Sequence, residues 1–299
     1  MINKKEGISE ESPYTSSELV KIIHSVNKAN KLCWKGSNNN EIDTIVITHD
    51  YGTKNGLGYY LARNAGDYDL GALLRTDTSP ESAYDNDYRI AFGKVIRDVG
   101  LLCEAGYFPV DFKPANLQVK QVKIPKSNID KQYNKIKIFL IDTNSICSVE
   151  NPSYTQTTVY CNNRVHFKWH TDSTRNKYNG QVKVDFAIAM SLLELEGVDL
   201  DPLTNQLLGN KGVKQNDPIL QKFIETHIQP KYKKDFENLV CFPSIYLVNL
   251  EKDKPAKVTG VYKMFKPTSP YYYHDHANNN NDQANNNSNE PSQSLHIKA

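Results

Sequence analysis

The sequence predicts an α+β fold: a reduced N-terminal lobe of one helix and two strands, then a larger, mainly helical C-terminal lobe. Apolar residues recur with helical spacing at 19–26 and 90–103, and 182–196 is apolar nearly all round, as a helix buried on every side would be. Two pairs of short runs, the β-branched 44–48 with the returning 57–62 and the alternating 117–122 with the apolar 136–141, read as strands. The domain expectation is a flexible 1–14, a small lobe over 15–62, a large lobe over 63–270 and a disordered Asn-rich tail over 271–299.

Thr15-Ser16-Ser17-Glu18 has the spacing of a capping box, and Leu19, Ile22, Ile23 and Val26 form the i, i+3, i+4, i+7 stripe of the helix it starts. Thr44–Thr48 is a β-branched strand, Asn55-Gly56 marks a tight hairpin turn, and 57–62 returns. A helix is expected over about 88–105, with Ile90, Val95, Ile96, Val99, Leu102 and Cys103 mainly on one face and Gly106 as its C-terminal cap. The strands 117–122 and 136–141 bracket a long, lysine-rich hairpin. Residues 143–180 show little periodicity and read as a long connection, a feature often tied to function. Asp185, near the start of the buried helix, is a buried charge that needs partners. Two amphipathic helices are expected at about 218–227 and 231–240.

Composition excludes several classes. The chain has 299 residues, enough for two lobes with a real core. Its net charge of +2 argues against binding nucleic acid by bulk charge. No run of about 18 apolar residues exists, so no membrane span is expected. The N-terminal MINKKEGISEE lacks the apolar core of a secretory signal. Five scattered cysteines without CxxC spacing read as reduced thiols of a cytoplasmic protein, not as a zinc site or disulfide frame.

The chemistry concentrates between 109 and 142. Asp111, Lys113 and Asn116 form a D-x-K-P-x-N run within PVDFKPAN, and Asp142 closes the apolar strand 136–141. A carboxylate to orient a hydroxyl, a cation and two metal ligands are the parts that phosphoryl transfer needs.

With these residues in place, the order of elements from 15 to 245 resembles the protein-kinase catalytic domain of the eukaryotic Ser/Thr type, most strongly between 88 and 197. GYYLARNAGDYDLGALL (58–74) is similar to its fifth strand, hinge and following helix. PVDFKPANLQV is similar to the catalytic loop, FLIDT (139–143) to the metal-binding segment, and VDFAIAMSLLEL (184–195) to the central helix of the large lobe. The resemblance implies a two-lobe fold and ATP and Mg²⁺ as cofactors. It implies Asp111 as the catalytic base that orients the substrate hydroxyl, Lys113 as the catalytic cation, and Asn116 and Asp142 as metal ligands. Ala62 and Asn64 of the hinge would join Asn116 and Asp142 in binding the nucleotide. Lys113 so placed favours Ser/Thr protein substrates. Asp185 would hydrogen-bond back to the backbone of the catalytic loop.

The chain also departs from the pattern. Pro109-Val110 replaces the His-Arg before the catalytic aspartate. Thr143-Asn144 replaces the Phe-Gly after the metal-binding one, and Asn144 is the residue there best able to take positive φ. No glycine-rich phosphate loop with its lysine precedes the first helix. GTKNGLG (52–58) is glycine-rich but falls in a hairpin turn. Glu18 is either the partner of that lysine or only a cap, and Lys31 and Lys35 are substitutes that spacing does not support. The alternatives are therefore a pseudokinase scaffold, or the C-terminal part of a split or truncated kinase whose small lobe a partner chain completes. Tyr154, Thr155, Thr157, Thr158 and Tyr160 read as loop polars before phosphosites. His166 with His170, and His274 with His276, are weaker metal candidates without a third ligand.

Overall fold

The computed structural model describes residues 14–29, 42–46, 48–54, 57–62, 65–71, 85–123, 134–151, 160, 173–198, 200, 213–242 and 259–273. Thr15 and Glu18 open the first helix, α1 (Ser16–Ala29), as the sequence predicts. The Thr15 amide donates to Glu18 Oε2 at 2.7 Å and the Glu18 amide to Thr15 Oγ1 at 3.4 Å, a reciprocal cap. The Thr15 amide, and the Thr15 hydroxyl that also donates to Glu18 Oε2 at 2.7 Å, hold the Glu18 carboxyl below its usual range. Leu19 is buried, with Ile22 and Ile23 packed beside it.

The strands β1 (Thr48–Lys54) and β2 (Leu57–Ala62) pair antiparallel, from Thr48↔Ala62 to Lys54↔Leu57, and the turn expected at Asn55-Gly56 lies outside the described residues. Its first strand begins where the sequence predicts that strand to end. Residues 44–46 leave the hairpin and run beside Leu140: the Leu140 amide donates to the Thr44 carbonyl at 2.7 Å and the Val46 amide to the Leu140 carbonyl at 2.9 Å. The reason is burial. Thr44, Ile45 and Val46 are consecutive and all buried, which a half-exposed hairpin strand does not permit.

The short strand β3 (Tyr68–Asp69) leads toward α2 (Asp85–Glu104). Phe92, Val95, Ile96, Val99, Leu102 and Cys103 of α2 are buried. Ile90, expected on that face, is 47% exposed, because it sits about 200° around the helix from Phe92. Gly106 takes φ 92° and ends α2, its amide bonding to the Cys103 carbonyl while Tyr107 bonds to that of Leu102.

Four strands frame the segment after α2: β4 (Phe108–Pro109), β5 (Leu117–Lys123), β6 (Asn134–Leu140) and β7 (Ile146–Cys147). β5 and β6 form the expected antiparallel hairpin, from Leu117↔Leu140 to Lys123↔Asn134, and β3 joins the far edge of β5. β4 pairs with β7 through Phe108↔Cys147 and Pro109↔Ile146. Gly66 is needed where it stands: a Cβ there would lie 2.4 Å from the Val119 carbonyl oxygen.

The buried helix, α3, runs over Ser173–Leu195. Residues 173–180 thus extend it at the end where the sequence predicts an irregular connection. Gly180 is a close approach and not a break, since a Cβ there would meet the Phe108 ring at 2.6 Å. α4 (Pro218–His227) starts on Asp217, whose Oδ1 accepts from the Ile219 and Leu220 amides, and α5 (Lys233–Cys241) comes after a single 3₁₀ turn. The last described segment, 259–273, crosses α2 where that helix carries Gly93 and Gly100. Cβ atoms there would lie 2.6 Å from the Tyr271 carbonyl and 2.2 Å from the Tyr262 ring. Tyr271, placed by the sequence at the start of the tail, is 1% exposed and belongs to the core.

The described architecture is therefore α+β, with helices packed on small antiparallel sheets. Among the described residues no helix is long and apolar enough to cross a membrane.

Candidate functional site

The segment between β4 and β5 carries three consecutive buried residues, Val110, Asp111 and Phe112, and then turns at Pro114–Asn116. Val110 and Phe112 are buried, and the Phe112 ring packs 6.1 Å from that of Phe92 on α2. Asp111, between them, is only 6% exposed. Pro114 opens a single 3₁₀ turn, Pro114–Asn116, closed by the Asn116 amide on the Lys113 carbonyl at 3.0 Å.

Three polar side chains of the run meet here. Lys113 Nζ lies 2.7 Å from Asp111 Oδ2. Asn116 Nδ2 donates to the Asp111 carbonyl at 2.9 Å and to its Oδ2 at 3.2 Å. A cation and an amide that both donate to one buried carboxylate give it a fixed orientation. Because Asn116 donates through its nitrogen, its amide oxygen is the atom left to meet a cation.

Asp142 arrives from β6. The Ile141 amide donates to the Asn116 carbonyl at 2.9 Å, so the end of β6 is stitched to the start of β5 next to the turn. Asp142 then takes φ 55°, ψ 53°, in the left-handed region, and its residue is exposed. Positive φ, which Asn144 can adopt more readily than most residues, falls at Asp142, and Asn144 lies within the following 3₁₀ turn. Aspartate tolerates it better than most side chains, and such backbone strain concentrates at functional sites. The next residue, Thr143, is buried, and its hydroxyl has no hydrogen-bond partner among the described residues.

The other expected residues divide. Ala62 ends β2. Asn64, Lys31, Lys35, His166, His170, His274 and His276 lie outside the described residues. Glu18 caps α1. The Tyr160 hydroxyl donates to Glu194 Oε2 at 2.5 Å.

Asp185 corrects the expectation for it. Its Oδ1 accepts the Val261 amide at 3.1 Å and its Oδ2 accepts Gln181 Nε2 at 3.0 Å. It therefore clasps the 259–273 segment, not the 109–116 loop. β4, which leads into that loop, packs on α3 through Phe108 against Gly180. Complete burial pushes the Asp185 carboxyl up to about 7, opposed by its two hydrogen bonds.

Among the described residues, no group of three or more His, Cys, Asp or Glu side chains could hold a metal ion. One carboxylate and one amide oxygen suit a magnesium ion that arrives on substrate phosphates, since Mg²⁺ takes few protein ligands and keeps its other oxygens. A zinc or calcium cage would need more.

No protein-family model matches the chain, and no curated protein matches it.

Proposed function

We propose that residues 109–142 form the phosphoryl-transfer site of an ATP- and Mg²⁺-dependent protein kinase-like enzyme acting on Ser/Thr hydroxyls. One observation carries the reading: Asp111, Lys113 and Asn116 share a single hydrogen-bonded turn, and the Ile141–Asn116 bond sets Asp142 beside it.

Each side chain then has a task. The Asp111 carboxylate orients the incoming hydroxyl and accepts its proton as the oxygen attacks. Lys113, 2.7 Å from that carboxylate, holds its rotamer and lends positive charge to the transferring group. Asn116 ties the base to the turn through Nδ2 and presents its oxygen to the metal. Asp142 supplies the second metal oxygen. A bound magnesium ion would neutralise phosphate charge. Ala62 and Asn64 would border the base of the nucleotide.

Transfer from labelled ATP to generic Ser/Thr substrates, and to the protein itself, tests the reading against an Asp111→Asn control. Transfer by wild type that the control loses supports it. Equal counts from both would favour a scaffold or binding module, or a partner-dependent fragment.

A further inference from the structure

Asp98 lies on α2, outside the Asp111–Asn116 turn, and is fully buried. A buried carboxylate must be matched by donors. Here most of them come from a distant segment. Asp98 Oδ2 accepts from Thr44 Oγ1 at 2.7 Å and from the amides of Thr44 and Asp43, each at 3.3 Å. Arg97 Nη1 holds Oδ1 at 2.8 Å and Lys94 Nζ stands 3.7 Å from Oδ2.

Thr44 passes the constraint on. Its carbonyl accepts the Leu140 amide at 2.7 Å, and two residues later Val46 donates to the Leu140 carbonyl at 2.9 Å. Leu140 is the last residue of β6 and faces Leu117 of β5 on its other side. The residue that launches the Asp142 turn is thus gripped from both edges, by β5 and by 44–46. Asp98 supplies the buried carboxylate of the second grip, beside an ion pair between Asp43 and Lys94.

We infer that Asp98, acting through Thr44, is a positioning residue for Asp142: it sets where β6 ends and so where the Asp142 oxygens stand. The inference deepens the proposed phosphoryl-transfer reading and rests on it for the role of Asp142. Charge-assisted bonds to Oδ2 are the stronger kind, and a latch of this sort is worth more than its neutral equivalent. Groups that orient a metal ligand change metal affinity by about 10- to 100-fold when removed.

Thr44→Val tests it, because the change keeps shape and removes only the hydroxyl donor, and Thr44→Ser restores that donor. Two readouts are taken. The first is hydrogen exchange in nucleotide-free protein, comparing the Leu140 and Ile141 amides with those of Val184–Leu193 in α3. The second is Mg²⁺ affinity in the presence of ATP. The inference expects Thr44→Val to lose protection about tenfold at Leu140 and Ile141 with α3 unchanged, to bind Mg²⁺ about tenfold more weakly, and to recover on both counts in Thr44→Ser. Uniform loss of protection across both regions, or no loss, overturns it. Should wild type hold no Mg²⁺ with ATP, the phosphoryl-transfer reading fails. Exchange alone then decides the inference by the same two outcomes.

Discussion

The amide of Ile141 meets the carbonyl of Asn116 at 2.9 Å. That one bond joins the exit of β6 to the entrance of β5, and so fixes the distance in space between Asp142 and the Asp111–Lys113–Asn116 turn. The two parts are remote in sequence and adjacent in structure. The proposed chemistry depends on their staying adjacent.

Asp111→Asn should lower phosphoryl transfer by about 100-fold or more, the usual contribution of a positioned general base. The fold should survive, since Asn keeps the shape and still offers an oxygen to Asn116 Nδ2. Steady-state transfer rates beside thermal midpoints check both halves.

Thr143→Val should stabilise the protein or leave it unchanged. The Thr143 hydroxyl is buried without a hydrogen-bond partner among the described residues, and such a group costs about 1–3 kcal/mol. Valine removes the oxygen and keeps the volume. A clear loss in denaturant midpoint would mean that the hydroxyl has a role the packing does not reveal.

Stability should depend on pH through Asp185. Its carboxyl is pushed up to about 7 in the folded chain, above its unfolded value. The folded state therefore binds the proton more tightly, and stability falls as pH rises between about 4 and 7. Asp185→Asn cannot ionise, so it should flatten that part of the curve. Unfolding free energies measured across that range and just above it give the slope. An unchanged slope in the variant would assign it to other groups.

Gly93→Ala should destabilise despite alanine's advantage in a helix. The propensity gain is at most about 1 kcal/mol, whereas crowding a packed site costs about 1–3 kcal/mol. The nearest atom, the Tyr271 carbonyl oxygen at 2.6 Å, is backbone and cannot swing away. Tyr271→Ala should cost more, about 3–5 kcal/mol, and Tyr271→Phe only about 1 kcal/mol, because Arg89 still holds Glu196. Chemical denaturation of the three variants ranks them.

Local signals were easy to read where one physical cause dominated. The Thr15–Glu18 cap, the Gly106 cap, the β5–β6 hairpin and the buried run of α3 each follow from spacing alone. The D-x-K-P-x-N run named Asp111, Lys113 and Asn116 as one group, and hydrogen bonds join the three within a single turn. What spacing could not show were contacts made across the chain. Residues 44–46 looked like half of a hairpin because the Asp98 that captures them lies on another element. Asp185 was given the wrong partner because Val261 is far away in sequence. Tyr271 looked like tail because it adjoins an Asn-rich run, while the glycines that let it dock, Gly93 among them, sit on α2. The buried hydroxyl of Thr143 left no sequence signal at all.

The most direct measurement is Mg²⁺-dependent ATP binding by calorimetry on wild type and Asp142→Asn. The account predicts that wild type binds ATP only with Mg²⁺ and that the variant loses about tenfold or more in affinity. No binding by a well-folded wild type, or equal binding by both proteins, would contradict it.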